Sequence, residues 1–211
     1  MKRLYLLLFS IGLLNFSCEN KTESNKFSAN KETETTAQTS KPSTPLSQEF
    51  KGYWYNGEAE INSYKLEQAR YVEMREGTAV LLFVTEPFLS DKQVKADKTN
   101  PSNTSVLKLN ATKNFNTGIY PYSIMQSTFF PVDNNQHALK ISCSVQEWCG
   151  HVYMQLNNRN DFEIMSHSYF ESEADEDLNL NKANLENELW TQLRIDPKLL
   201  PTGTIEIIPS F

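Results

Sequence analysis

Between residues 139 and 156 the apolar positions change phase. Leu139, Ile141, Cys143 and Val145 occupy odd positions, whereas Val152, Met154 and Leu156 occupy even ones, and each set alternates with polar neighbours as a half-buried strand requires. Two arrangements keep such a pattern on one core face. One is a β-bulge near Gly150, where an extra residue restores the face. The other is a tight reversal near Gln146 and Glu147 that pairs Ile141 with Val152 and Leu139 with Met154. The bulge is favoured, because glycine marks bulges in strands and Gln-Glu offers no residue suited to positive φ.

The remaining pattern is also mostly extended. Residues 79–85, AVLLFVT, form a nearly continuous apolar run consistent with a central strand buried on both faces, and Pro87 argues against a helix there. Residues 90–105 are polar and carry Asn100-Pro101, which reads as a loop, and Val106 restarts a strand. Residues 118–132 are rich in β formers, but Pro121 and Pro131 suit an edge, a bulge or strand ends better than the middle of a ladder. A hairpin centred on Arg159 would pair Met154 with Ile164 and Leu156 with Phe162, and would set His151 opposite His167. Leu185, Leu189 and Leu193 stand at helical spacing and predict one helix with a leucine core stripe, ended by Pro197. Gly203 introduces a last strand over 204–208. About six to eight strands in antiparallel succession predict a β-dominated α+β fold: a curved antiparallel sheet or partial barrel with one late helix.

The N-terminal part has a different character. Lys2 and Arg3 precede LYLLLFSIGLL, which has the length and flanks of a secretory signal over residues 1–17 and is too short to span a membrane comfortably. Cys18 follows LLNFS, as in a lipobox, and is the expected lipidation site; its acyl chains would hold the protein on a bilayer without a spanning helix. Residues 18–48 hold too few apolar side chains to offset the entropy of ordering and read as a tether. Residues 49–211 are long enough for a single β-rich domain, and a chain that stops at Phe211, just after a strand, is expected to continue beyond it. Loss of Lys2 and Arg3 with the signal would leave 18 basic and 26 acidic residues, a net charge of −8. That balance argues against nucleic acid or anionic lipid surfaces as partners, and no basic stripe offsets it.

Candidate chemistry collects between residues 147 and 167. Trp148-Cys149-Gly150-His151 is the start of a disulfide-oxidoreductase motif, but Val152 stands where the resolving cysteine belongs, and a strand follows in place of the activating helix. Glu147, Cys149 and His151 would line one strand face as a nucleophile with its base only if the phase slip did not intervene. His151 and His167 could supply two metal ligands, with Glu163 or His137 as a third, although no strong ligand spacing is present. Cys143 and Cys149 lie too far apart in an extended strand for a disulfide, and an in-phase reversal puts them on opposite faces, so no bond between them is favoured. The acidic run 171–177 lacks the glycine and spacing of a calcium loop and reads as solvated. No cofactor motif occurs.

The segments YNGEAEINSYKLEQARY, NFNTGIYPYSIMQSTFFPV and VQEWCGHVYMQLNNR together resemble a family of flavobacterial-type lipoproteins that carries the label septum formation inhibitor Maf. The resemblance covers residues 50–211 and implies an envelope lipoprotein. Maf pyrophosphatases bear an N-terminal S-x-S-P-R-R motif that has no counterpart here, so no catalytic residue carries over. Two expectations follow. One is a noncatalytic, lipid-anchored envelope protein, at the periplasmic face or cell surface, that binds an apolar ligand, a lipid or an envelope protein through a curved sheet. The other is an envelope metal- or Cys-dependent hydrolase using Cys149, His151 and His167. A shared cleft for those three side chains would favour the second.

Overall fold

The computed structural model describes residues 46–133 and 137–211; the signal segment, Cys18 and nearly all of the tether lie outside them. The described chain opens with a short helix, α1 (Gln48–Trp54), which the sequence reading did not anticipate. Ser47 caps it by accepting from the Phe50 backbone N–H, and Phe50 and Trp54, one turn apart, form its buried side.

A meander of antiparallel strands follows: β1 (Glu60–Arg70), β2 (Glu73–Leu89), β3 (Val94–Lys95), β4 (Thr104–Thr117), β5 (Tyr120–Pro131), β6 (Lys140–Glu147), β7 (Gly150–Asn158), β8 (Phe162–Ser168) and β9 (Glu176–Leu180). Each pairs with the next, except that β3 pairs only with β2, and β2 pairs on to β4. The sheet is β-dominated, antiparallel and not closed, as the apolar pattern predicted. After it come β10 (Asn184–Leu185), a 3-10 turn at Glu186–Glu188, the late helix α2 (Leu189–Ile195) and β11 (Ile207–Ile208), which pairs in parallel with β10. The last strand is thus shorter than the 204–208 expected.

The phase slip is a reversal, not a bulge. Glu147 pairs with Gly150, Val145 with Val152 and Ile141 with Leu156, so Trp148 and Cys149 alone form the turn, two residues later than Gln146-Glu147. Neither turn residue adopts positive φ. The Tyr120 hydroxyl holds the turn instead, accepting from the Cys149 N–H at 2.6 Å and donating to Glu147 Oε2 at 3.2 Å. Gly150 is needed for another reason: the Tyr169 ring lies where its Cβ would be. The following hairpin is centred on Asn160 rather than Arg159, so Leu156 pairs with Ile164, Met154 with Ser166 and Tyr153 with His167. Strand β5 is interior, between β4 and β6. Its ladder with β6 runs only from Ser123 to Phe129, so Pro121 and Pro131 sit at strand ends where no bond to β6 is required.

The register assigns every side chain to one of two faces. Phe83, Leu109, Thr128, Ile141, Leu156 and Ile164 are buried and share one row across the apolar face, linked pair by pair. The helices cover that end. Phe50 and Trp54 pack with Phe83, Leu107 and Leu109, while Leu185, Ile208 and Phe211 pack with Phe130, Ile141, Leu156 and Phe162. On the opposite face Phe88, Gln93 and Ala96, in and after β2, are buried, and the Phe88 ring lies 5.3 Å from that of Phe129.

The late helix does not present its expected leucine stripe. Leu185 is buried from strand β10, but the intervening 3-10 turn breaks the angular phase, leaving Leu193 exposed and Trp190 58% exposed. The inward residues are Asn187, Glu188, Thr191 and Gln192. Glu188 is satisfied there, accepting from the backbone N–H groups of Ala138 and Leu185 and lying 3.1 Å from His137 Nδ1.

Candidate functional site

The structure disperses the residues that chemistry would need together. Glu147 shares the apolar face with Val145 and Val152, whereas His151, paired with Gln146, projects from the other face. Cys149 is exposed in the turn between them, and no Glu147–Cys149–His151 array forms. His167 pairs with Tyr153 rather than His151, and its Nδ1 lies 3.4 Å from Asp175 Oδ1. His137 is engaged by Glu188, and Glu163 by Arg159. Among the described residues no group of three or more His, Cys, Asp or Glu side chains is placed to hold a metal ion. Cys143 and Cys149 are both free thiols. Residues 171–175 of the acidic run are exposed, and its end enters strand β9.

What the register does assemble is a trough on the apolar face. One row toward the β1–β2 turn from the buried belt stand Leu81, Ala111, Gln126, Cys143, Met154 and Ser166; one row further stand Tyr64, Ala79, Lys113, Ile124, Val145, Val152 and Ser168. The two buried clusters reach only as far as Leu81, Ala111 and Met154. In the outer row Ala79, Ile124, Val145 and Val152 are half-buried, and Tyr64 and Lys113 are exposed. A row occupies about 7 Å along the strands, and crossing from β1 to β8 takes about 29 Å.

Both long sides of the trough are walled. On the helix side, Phe211 packs against the core and its carbonyl accepts from Gln126 Nε2 at 3.3 Å. On the other side Phe115 and Tyr122 are buried and stacked, with ring centroids 4.7 Å apart. The β1–β2 end bends over them: the Tyr71 hydroxyl is 3.0 Å from that of Tyr122, and the Arg70 guanidinium carbon lies 5.2 Å from the Tyr122 ring centre. In a flat sheet Arg70 would stand about 14 Å to the side of Tyr122 and about 13 Å further along the strand. The contact therefore requires the sheet to coil toward its apolar face, which makes that face concave. Gly77 permits the close approach, since a Cβ there would collide with the Asn114 carbonyl.

Electrostatics separate the trough from its rim. Burial pushes the Cys143 thiol above its ordinary pKa, and the positive charge of Lys113 partly offsets that rise. Desolvation, the Cys149 thiol and Glu147 raise the Tyr120 phenol above its ordinary pKa, while the Cys149 backbone N–H pulls the other way. Desolvation and the Tyr71 bond likewise raise Tyr122, against the opposing pull of Arg70. Tyr120 and Tyr122 brace turns, and among the described residues no activated nucleophile faces the trough.

Two pockets lie away from these rows. One of about 290 Å³ lies on β7–β9 beside Asn157, Met165 and Asp177, and one of about 230 Å³ lies beside Tyr55, Thr85, Asn100 and Asn103. Neither is lined by Cys149, His151 or His167. Among the described residues no helix is long and apolar enough to cross a membrane. Comparison with known proteins gives no match to a protein-family model, to a curated protein or to a solved structure.

Lys113 escaped the sequence reading, although a signal was available. It occupies the same odd phase as Leu107, Leu109, Ala111 and Phe115, a charged residue at a position the alternation reserves for the core.

Proposed function

We propose that this chain is a noncatalytic cell-envelope lipoprotein, anchored through acylated Cys18, whose concave sheet face binds an apolar ligand in the trough between the helical cover and the Phe115–Tyr122 wall. The half-buried, uncovered row of Ala79, Ile124, Val145 and Val152 supports this most directly. Apolar residues on a curved, walled surface gain from an occupant that removes them from water, at about 25 cal/mol per Å². The trough floor beneath Ile124, Val145 and Val152 consists of interior strands whose backbone groups are already paired, so it offers apolar contact rather than strand addition. The Cys- or metal-dependent hydrolase is disfavoured by the separation of Glu147, Cys149, His151 and His167 over two faces and a turn.

The test is to express the full chain in a bacterial envelope, purify it and identify bound lipid by mass spectrometry, alongside a Val145→Glu variant. Stoichiometric lipid on the wild type, lost from a variant that still melts cooperatively, is the expected result. A wild-type protein that carries no lipid, or a folded variant that keeps it, contradicts the proposal.

A further inference from the structure

We propose that the trough takes a single-chain anionic amphiphile, with its acidic head group on Lys113 and its hydrocarbon chain lying across Ile124, Val145 and Val152. This rests on the binding role assigned to the concave face and adds the chemical class and orientation of the ligand.

Position is the first reason. Lys113 projects from the apolar face, directly between Ala79 on β2 and Ile124 on β5. Its neighbours along its own strand on that face are Ala111 and Phe115, and those diagonal to it are Gly77, Leu81, Tyr122 and Gln126. None is acidic. The sheet's other lysines are engaged: Lys65 by Glu76, Lys95 and Lys108 by Glu86, and Lys140 by the Gln93 carbonyl. Lys113 has no hydrogen-bond or ion-pair partner among the described residues. A cation among uncharged side chains in a concave apolar site gains from an anion that arrives with its own apolar surface.

Shape is the second. From Lys113 the row continues through Ile124, Val145 and Val152, three strand spacings or about 14 Å, which an extended chain of about a dozen carbons spans. In the other direction Ala79 and Tyr64 reach the sheet edge within two strands. The asymmetry orients the ligand, with its head near β4 and its tail toward β7. The floor requires no hydrogen bond from a ligand, which suits an alkyl chain and not an extended peptide. The chain carries a net charge of −6 overall, so an anion is selected by this one local cation and not by the protein's overall field.

The experiment titrates the full chain, made unacylated by Cys18→Ser, with myristate and with tetradecanol at pH 8 by calorimetry. Lys113→Met and Lys113→Arg variants are carried in parallel. The wild type should bind myristate about tenfold more tightly than tetradecanol, as one charge-assisted contact implies. Lys113→Met should lose that tenfold while binding tetradecanol unchanged, and Lys113→Arg should keep it. Equal affinity for both compounds in the wild type, or a Lys113→Met variant that still prefers myristate, overturns the anionic head group and leaves the trough reading intact. Binding of neither compound overturns the trough reading itself, and this inference with it.

Discussion

Val145 stands directly opposite Val152 across the turn at Trp148 and Cys149. That pairing brings the odd apolar residues of β6 and the even ones of β7 onto one face, and it separates Glu147 from His151. The same two residues that fix the core face therefore dismantle the most enzyme-like cluster in the chain and contribute two of the four half-buried apolar residues of the trough's outer row.

The two cysteines should differ in reactivity. Cys149 is exposed in the turn, whereas Cys143 is buried and its thiol pKa is raised by desolvation. A thiol-specific reagent at pH 8 should modify Cys149 first and Cys143 at least tenfold more slowly, since the thiolate is the attacking species. The sign follows from the shift. With its folded pKa above the ordinary thiol value, Cys143 favours the native state below that ordinary value, and this contribution is lost as the pH rises through the folded value. Alkylation of Cys143 should therefore accelerate as the pH rises toward its raised folded value, and mass mapping of the labelled cysteine checks it. Two thiols modified at equal rates at pH 8 would contradict the burial of Cys143.

Glu188 and Thr191 should respond in opposite ways to losing their oxygens. Glu188→Ala removes the acceptor of the Ala138 and Leu185 N–H groups and the partner of His137, in a fully buried position. A loss of about 3–5 kcal/mol in a denaturant melt is expected. Thr191 is equally buried, but its hydroxyl has no hydrogen-bond partner. Thr191→Val should therefore be neutral or stabilise by up to about 1 kcal/mol. A destabilised Thr191→Val would show that the hydroxyl has a partner.

The β1–β2 turn holds Tyr71 and Val72 at φ of 53° and 58°. A β-branched residue is strained there, and Val72 is fully exposed, so its side chain returns nothing in packing. Val72→Gly should stabilise the domain by about 1 kcal/mol, read as a rise of a few degrees in Tm. A fall in Tm would mean that the turn is not of this type.

Alternation in period two made the fold class legible, because it needs only one partner face. Register was not, and the reason is specific. Pairing Ile141 with Val152 or with Leu156 keeps the same side chains inward, as does centring the next hairpin on Arg159 or on Asn160. The turn was decided by Tyr120, distant in sequence, through its bonds to Cys149 and Glu147. Helix α2 kept its position but lost its leucine stripe to a 3-10 turn that no periodicity announces. The trough was hidden for a related reason: alternation within β4 marks Lys113 as an inward charge, but its uncharged neighbours on β2 and β5 are identified only when the three strands are aligned.

The most direct test of the concave-face site is a methyl-labelled NMR titration of the full Cys18→Ser chain with tetradecanol. Shifts should concentrate on Ala79, Ile124, Val145, Val152 and Met154, with Met125 and Met165 on the opposite face unmoved. Shifts on Met125 and Met165, or none anywhere at saturating ligand, would contradict it.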